Sequence, residues 1–176
     1  MTQAAILAAS GSPGTTTGFK NKLINGNMAI DQRNAGAAIN TDNGLIFTVD
    51  RFFFLEDAAT TSTTQQVSDA PAGFSYSFKF TNSATASTPS YGQLVQRIEG
   101  YNVADLGFGT ANAKTVTLSF WVKSSLTGQF SASLRNSDAN RSNVSTYTIS
   151  SANTWEYKTI TFVGDTSGTW LTTNGN

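Results

Sequence analysis

The clearest periodic signal in the chain lies over residues 114–123, where Val116, Leu118, Phe120 and Val122 alternate with Thr115, Thr117, Ser119 and Trp121. Alternation at period two predicts a strand with one face in a core. Trp121 falls in the polar phase, so a large aromatic is aimed at the opposite face, toward a second layer, a partner chain or a ligand. Upstream, Ile24, Met28 and Ile30 predict one side of a strand over 23–30, interrupted near Gly26 by a bulge. The turn-rich stretch 34–45, with Asn43-Gly44 near its end, predicts a loop. Residues 46–55 are apolar in both phases apart from Asp50 and Arg51, the pattern of a central strand covered on both sides.

Further along, Phe74, Tyr76, Phe78 and Phe80 predict a strand that stacks four aromatics on one face and supplies much of the core. A strand over 91–98 follows, with Gln96 pointing inward, and then a longer connection over 99–112 with room for a short helix or irregular turn. Short strands are predicted at 129–135, 144–149 and 156–163, and 164–176 reads as a turn. No helical period occurs anywhere. Short strands at regular spacing predict an all-β fold, a β-sandwich whose commonest connectivity is a jelly roll. A sandwich of this kind usually closes with a strand that pairs back, and none follows residue 164, so an open sheet edge, completed by more chain or by another chain, is expected.

The charged pair inside 46–55 needs explanation, because neighbours on a strand point to opposite faces and cannot neutralise each other. Asp31, Arg33, Arg97 and Glu99 are the available partners for Asp50 and Arg51, and together the six predict an ionic network tying strand ends together, with a ligand site as the alternative.

Composition narrows the chemistry. The chain has 176 residues, enough for one domain of sizeable core with an attached arm. Its formal charge is zero, and its six Lys and five Arg are scattered singly, without the clustering that phosphate binding requires, so nucleic acid is set aside. With no Cys and no His, disulfides, thiolate nucleophiles, histidine triads and histidine-ligated metals are excluded, and no cofactor is expected. No apolar run reaches the length of a membrane-spanning helix. Residues 1–19 open with a short apolar piece, lack the basic start of a signal peptide, and pass into a Gly/Ser/Thr/Pro run. They read as an anchoring arm on a tether, with Ile6 and Leu7 carrying the surface to bury, or else as a disordered terminus. The sandwich is expected over 20–176.

Seven segments occur in an order that resembles bacteriophage tail-fibre and fibre-like virion proteins. They are Leu23-Ile24-Asn25-Gly26-Asn27-Met28, Gln32-Arg33, Val49-Asp50-Arg51-Phe52, Gln96-Arg97-Ile98-Glu99, the strand from Val116 to Lys123, Asn153-Thr154-Trp155 and Gly168-Thr169-Trp170. The likeness covers residues 20–172, with Phe52 standing where the pattern usually has Trp. The modules it resembles are similar to family 4/9 carbohydrate-binding jelly rolls. The resemblance implies a virion structural protein whose N-terminal arm inserts into a tail, baseplate or capsid protein while the sandwich projects outward, with host glycan recognition as its natural role. It also implies a homo-oligomer, preferably a trimer, in which Trp121 or Tyr147 faces a neighbouring subunit. A capsid decoration or head-fibre protein, or a free-standing carbohydrate-binding module, is the alternative.

Sugar binding calls for aromatic rings that stack on pyranose C–H groups, flanked by amides and carboxylates. Trp121, Tyr101, Tyr91 and Trp155 are the candidates for glycan or partner contact, against packing under a loop or in a subunit interface. A glycan-cleaving enzyme would need two carboxylates roughly 5–10 Å apart. Glu56, Glu99 and Glu156 show no such pairing along the chain, so no enzymatic activity is expected.

Overall fold

The structure, a computed structural model, describes residues 20–41, 44–56, 62–82, 91–138 and 140–174. Its regular structure is almost entirely antiparallel strand. Strands β1 (Ile39–Asn40), β4 (Ser62–Val67) and β5 (Ser77–Asn82) form one sheet in that order, and β2 (Gly44–Phe47), β3 (Phe52–Glu56) and β6 (Gly92–Gln96) form a second. Strand β7 (Val116–Val122) pairs with β10 (Glu156–Phe162), and β8 (Gly128–Arg135) pairs with β9 (Ser142–Ile149). A single turn of helix, α1 (Gly100–Val103), runs into a 3-10 turn at Ala104–Leu106 between β6 and β7.

The sheets face each other in pairs through aromatic rings. Phe54 of β3 stacks on Phe78 and Phe80 of β5, with centroids 6.0 and 4.5 Å away. In the other pair, Phe120 of β7 meets Tyr147 of β9 edge-on at 5.0 Å, and Tyr147 stacks on its cross-strand partner Phe130 at 5.9 Å. The fold is therefore an all-β sandwich. Among the described residues, Val49, Phe52, Phe53, Phe54, Ile149, Ile160 and Phe162 are the buried apolar side chains.

The strand predicted over 46–55 is a hairpin instead. β2 and β3 pair antiparallel around a tight turn in which the Phe52 N–H donates to the Val49 carbonyl at 2.9 Å and Arg51 takes a φ of 74°. Asp50 and Arg51 thus sit on a turn, which removes the need to bury opposite charges in a strand interior. β3 itself is buried on both faces, as its run of Phe predicts. Phe53, on the other side of β3 from Phe54, lies under the Arg97 guanidinium at 5.1 Å and packs edge-to-face with Phe47 at 6.2 Å.

Three other expectations change. The segment over 23–30 is a series of turns, with Asn25 and Met28 both at a φ of 56°. Within 34–45, expected as a loop, lie β1 and the start of β2. The aromatic strand begins only at Ser77 and adds little to the core: Phe78 and Phe80 stack on Phe54, but Phe78 is only half-buried and Phe80, like Phe74 and Tyr76 ahead of the strand, is exposed. Strand β4, Ser-Thr-Thr-Gln-Gln-Val, carries no alternation of apolar and polar residues and is invisible to a periodicity argument.

The 23–37 segment lies across the sandwich as a strap held by side chains in place of a strand ladder. Gln96 both accepts from the Ile24 N–H at 2.9 Å and donates to the Ile24 carbonyl at 2.8 Å, as a neighbouring strand would. Gln66 donates to the Met28 carbonyl and Gln65 to the Gly36 carbonyl. The Asn25 amide donates to the carbonyls of Ile30 and Asp50, each at 2.9 Å, and accepts from the Ile30 N–H. These polar contacts satisfy backbone groups that no strand reaches.

Candidate functional site

Every second residue of β7 points into the sandwich, where Phe120 meets Tyr147, and the alternation forces Trp121 outward. The register sets Tyr157 of β10 directly opposite Trp121, in the exposed phase of its own strand. The two side chains are 41% and 56% exposed, with ring centroids 5.4 Å apart and planes tilted by 56°. Along the same face run the hydroxyl pairs Ser119–Thr159 and Thr117–Thr161. This phase of both strands carries no charge.

At the other end of the aromatic pair, one step beyond the last register pair of Glu156 with Val122, the ammonium of Lys123 lies over the Trp155 ring at 5.4 Å. Lys123 also pairs with the carboxylate of Asp69, and the Trp155 indole N–H donates to Asp69 Oδ1 at 3.3 Å. Asp69 belongs to the connection between β4 and β5, where the Ser77 hydroxyl donates to its carbonyl. Lys123, followed by the Trp155 N–H, holds the Asp69 carboxyl below its ordinary value. The result is an exposed aromatic pair, Trp121 and Tyr157, with Trp155 and a carboxylate–ammonium pair following at one end and hydroxyls bordering the other.

Of the residues singled out from sequence, Trp121 and Trp155 come together here. Tyr91 precedes β6, and Tyr101 lies on α1, where its N–H donates to Asn174 Oδ1; both are exposed and belong to other surfaces. Tyr147, expected at a subunit surface, points inward between Phe120 and Phe130, and burial raises its hydroxyl above the ordinary value of 10.0. Sequence reasoning missed Tyr157, Lys123 and Asp69. Tyr157 was accessible through the polar phase of 156–163, and Lys123 as the residue two after Trp121. Asp69 gives no signal, because its place depends on how two sheets sit together.

Asp31, Arg33, Asp50, Arg51, Arg97 and Glu99 do not assemble into one ionic network. Among the described residues the only ion pair within the set joins Arg51 to Glu99 at 2.5 Å, on side chains more than a third exposed. Asp31 instead accepts from the N–H groups of Asn34 and Gly36, and Asp50 from that of Gln32. Arg33 and Arg97 lie over the rings of Phe47 and Phe53. Turn backbone and aromatic faces satisfy these charges one by one. The arm residues Ile6 and Leu7 lie outside the described residues.

A second polar centre surrounds Asp165, which accepts from Arg141 at 2.6 and 2.9 Å, from the Trp170 indole at 3.0 Å and from Ser167. Trp170 first, then Arg141, holds this carboxyl far below the usual carboxylate range. An open hollow of about 450 Å³ lies beside it. Its charged groups are spent on each other, fastening the Gly168-Thr169-Trp170 segment to β9. Among the described residues, no group of three or more His, Cys, Asp or Glu side chains is arranged to hold a metal ion, and no helix is long and apolar enough to cross a membrane. Comparison with protein-family models, with curated proteins and with solved structures returns no match.

Proposed function

We propose that this chain is a non-enzymatic structural component of a phage virion, a fibre-like protein joined to the particle through residues 1–19, whose jelly-roll module contacts host surface glycans through the outer face of β7 and β10. The observation that carries the binding role is the exposed pair Trp121 and Tyr157 beside rows of hydroxyls. Such a face offers ring surface to sugar C–H groups and hydrogen-bonding groups to their hydroxyls. The virion setting rests on the ordered motifs of residues 20–172.

A second reading, subunit contact within a homotrimer, draws on a different observation. Among the described residues β7 and β10 pair only with each other, leaving backbone edges for another chain, and Val163 is 73% exposed.

A glycan array with the intact chain and Trp121→Ala tests the proposal. Trp121 lies outside the core, so the variant folds; its retention falls by about tenfold or more, the loss expected when a stacking anchor worth about 1.4 kcal/mol is removed. Light scattering is run on the same samples. A blank array for the unaltered chain removes the glycan role, and a drop in mass caused by Trp121→Ala assigns the face to subunit contact. In the virion, deleting residues 1–19 abolishes incorporation into particles while leaving glycan retention intact.

A further inference from the structure

The aromatic face is uncharged except at its Asp69 end, and the arrangement there restricts which saccharides it suits. Lys123 is an ammonium beside a stacking platform, the usual means of capturing a sugar carboxylate or sulfate. Here it is already engaged twice, by the Asp69 carboxylate and by the face of Trp155. Its side chain is 28% exposed, whereas that of Asp69 is 58% exposed, so the carboxylate is the more accessible member of the pair. Asp69 also fixes the edge of Trp155 through the indole N–H.

We propose that Asp69, supplied by the opposite half of the sandwich, is the specificity-determining residue of this face and makes it a site for neutral saccharides. The inference rests on the glycan-binding reading above. An acidic sugar reaching Lys123 must displace Asp69 and then sit beside its negative charge, and both steps oppose binding. A neutral sugar stacked on Trp121 and Tyr157 meets only hydroxyls and rings. Removing the carboxylate's charge leaves the Lys123 ammonium with only the Trp155 ring beside it, open to attract an anion. Asp69→Asn keeps a hydrogen-bonding side chain of the same shape toward Trp155 while removing the charge.

The test is affinity electrophoresis of the full chain in gels carrying either neutral polysaccharides (a β-glucan, a xylan and a galactomannan) or acidic ones (polygalacturonate and alginate). The unaltered protein is retarded by at least one neutral polymer and more weakly by the acidic ones. Asp69→Asn raises retention on the acidic polymers about two- to fivefold, the range an exposed ion pair commands, and added salt reverses the gain. The double variant D69N/K123Q loses that gain. Equal or stronger retention of the unaltered protein on acidic polymers overturns the inference, as does an acidic-to-neutral ratio that Asp69→Asn leaves unchanged; either result leaves glycan binding itself standing. Failure of every polymer to retard the unaltered protein overturns both readings together.

Discussion

Thr64 is wholly buried on β4, and its hydroxyl has no hydrogen-bond partner among the described residues. Two positions earlier on the same face, Ser62 donates to Glu56 Oε2 at 2.5 Å, and Thr41 donates to the same oxygen at 2.7 Å. The buried Glu56 carboxylate thus has hydroxyl donors from β4 and from the end of β1, while Thr64 contributes none. Burying an unsatisfied hydroxyl costs about 1–3 kcal/mol. Thr64→Val, which keeps the shape, is expected to stabilise the protein by about 1 kcal/mol in urea unfolding. A loss of stability instead would mean that the hydroxyl is engaged. None of this is visible in Ser-Thr-Thr-Gln-Gln-Val, whose polar residues would ordinarily be placed in a loop. Burial of these hydroxyls depends on a carboxylate arriving from a different sheet.

Among the elements, the strap over 23–37 departs furthest from its sequence reading. Its Ile and Met positions resemble a strand, yet Ile24 and Ile30 are about half exposed and the chain turns at Asn25 and Met28. Asn25 accounts for this. It adopts the left-handed conformation that Asn tolerates better than most residues, and its amide makes three hydrogen bonds with Ile30 and Asp50. Asn25→Ala therefore loses the bonds and strains the backbone, costing about 2–3 kcal/mol, whereas Asn25→Gly loses only the bonds and costs about 1 kcal/mol less. Equal losses in chemical denaturation would show that backbone strain plays no part. The hairpin of β2 and β3 follows similar logic. A stretch apolar in both phases says only that both faces are covered, and the turn at Val49–Phe52 depends on Arg51 reaching positive φ. In contrast β7 and β8 coincide closely with the expected strands, because in each the apolar residues alternate without interruption, and β10 does so although its inward phase opens with Glu156 and Lys158.

For the whole molecule, the balance of charge predicts the response to acid. Asp69, Glu99, Asp105, Glu156 and Asp165 all have carboxyls held below their ordinary values, mainly by hydrogen bonds from Lys, Arg and Trp side chains. A carboxyl lowered on folding favours the folded state above its unfolded value, 3.8 for Asp and 4.5 for Glu, and that contribution is lost as pH falls through the folded value. With no His in the chain, these five groups leave the melting temperature level above about pH 5 and lower it progressively in more acid solution. A melting series across pH checks this, and a rise in stability on acidification would contradict it. The sequence alone determined the all-β class, the inward and outward phases of β7 and the exposure of Trp121, because a period of two is a local property that backbone geometry converts directly into two faces. Only the tertiary structure decided that Tyr157 stands opposite Trp121, that Asp69 reaches Trp155 and Lys123 across 86 and 54 residues of chain, and that the supposed ionic cluster separates into turn and ring contacts. Register and sheet-on-sheet placement follow from the packing of many side chains at once, and no short window of sequence contains them.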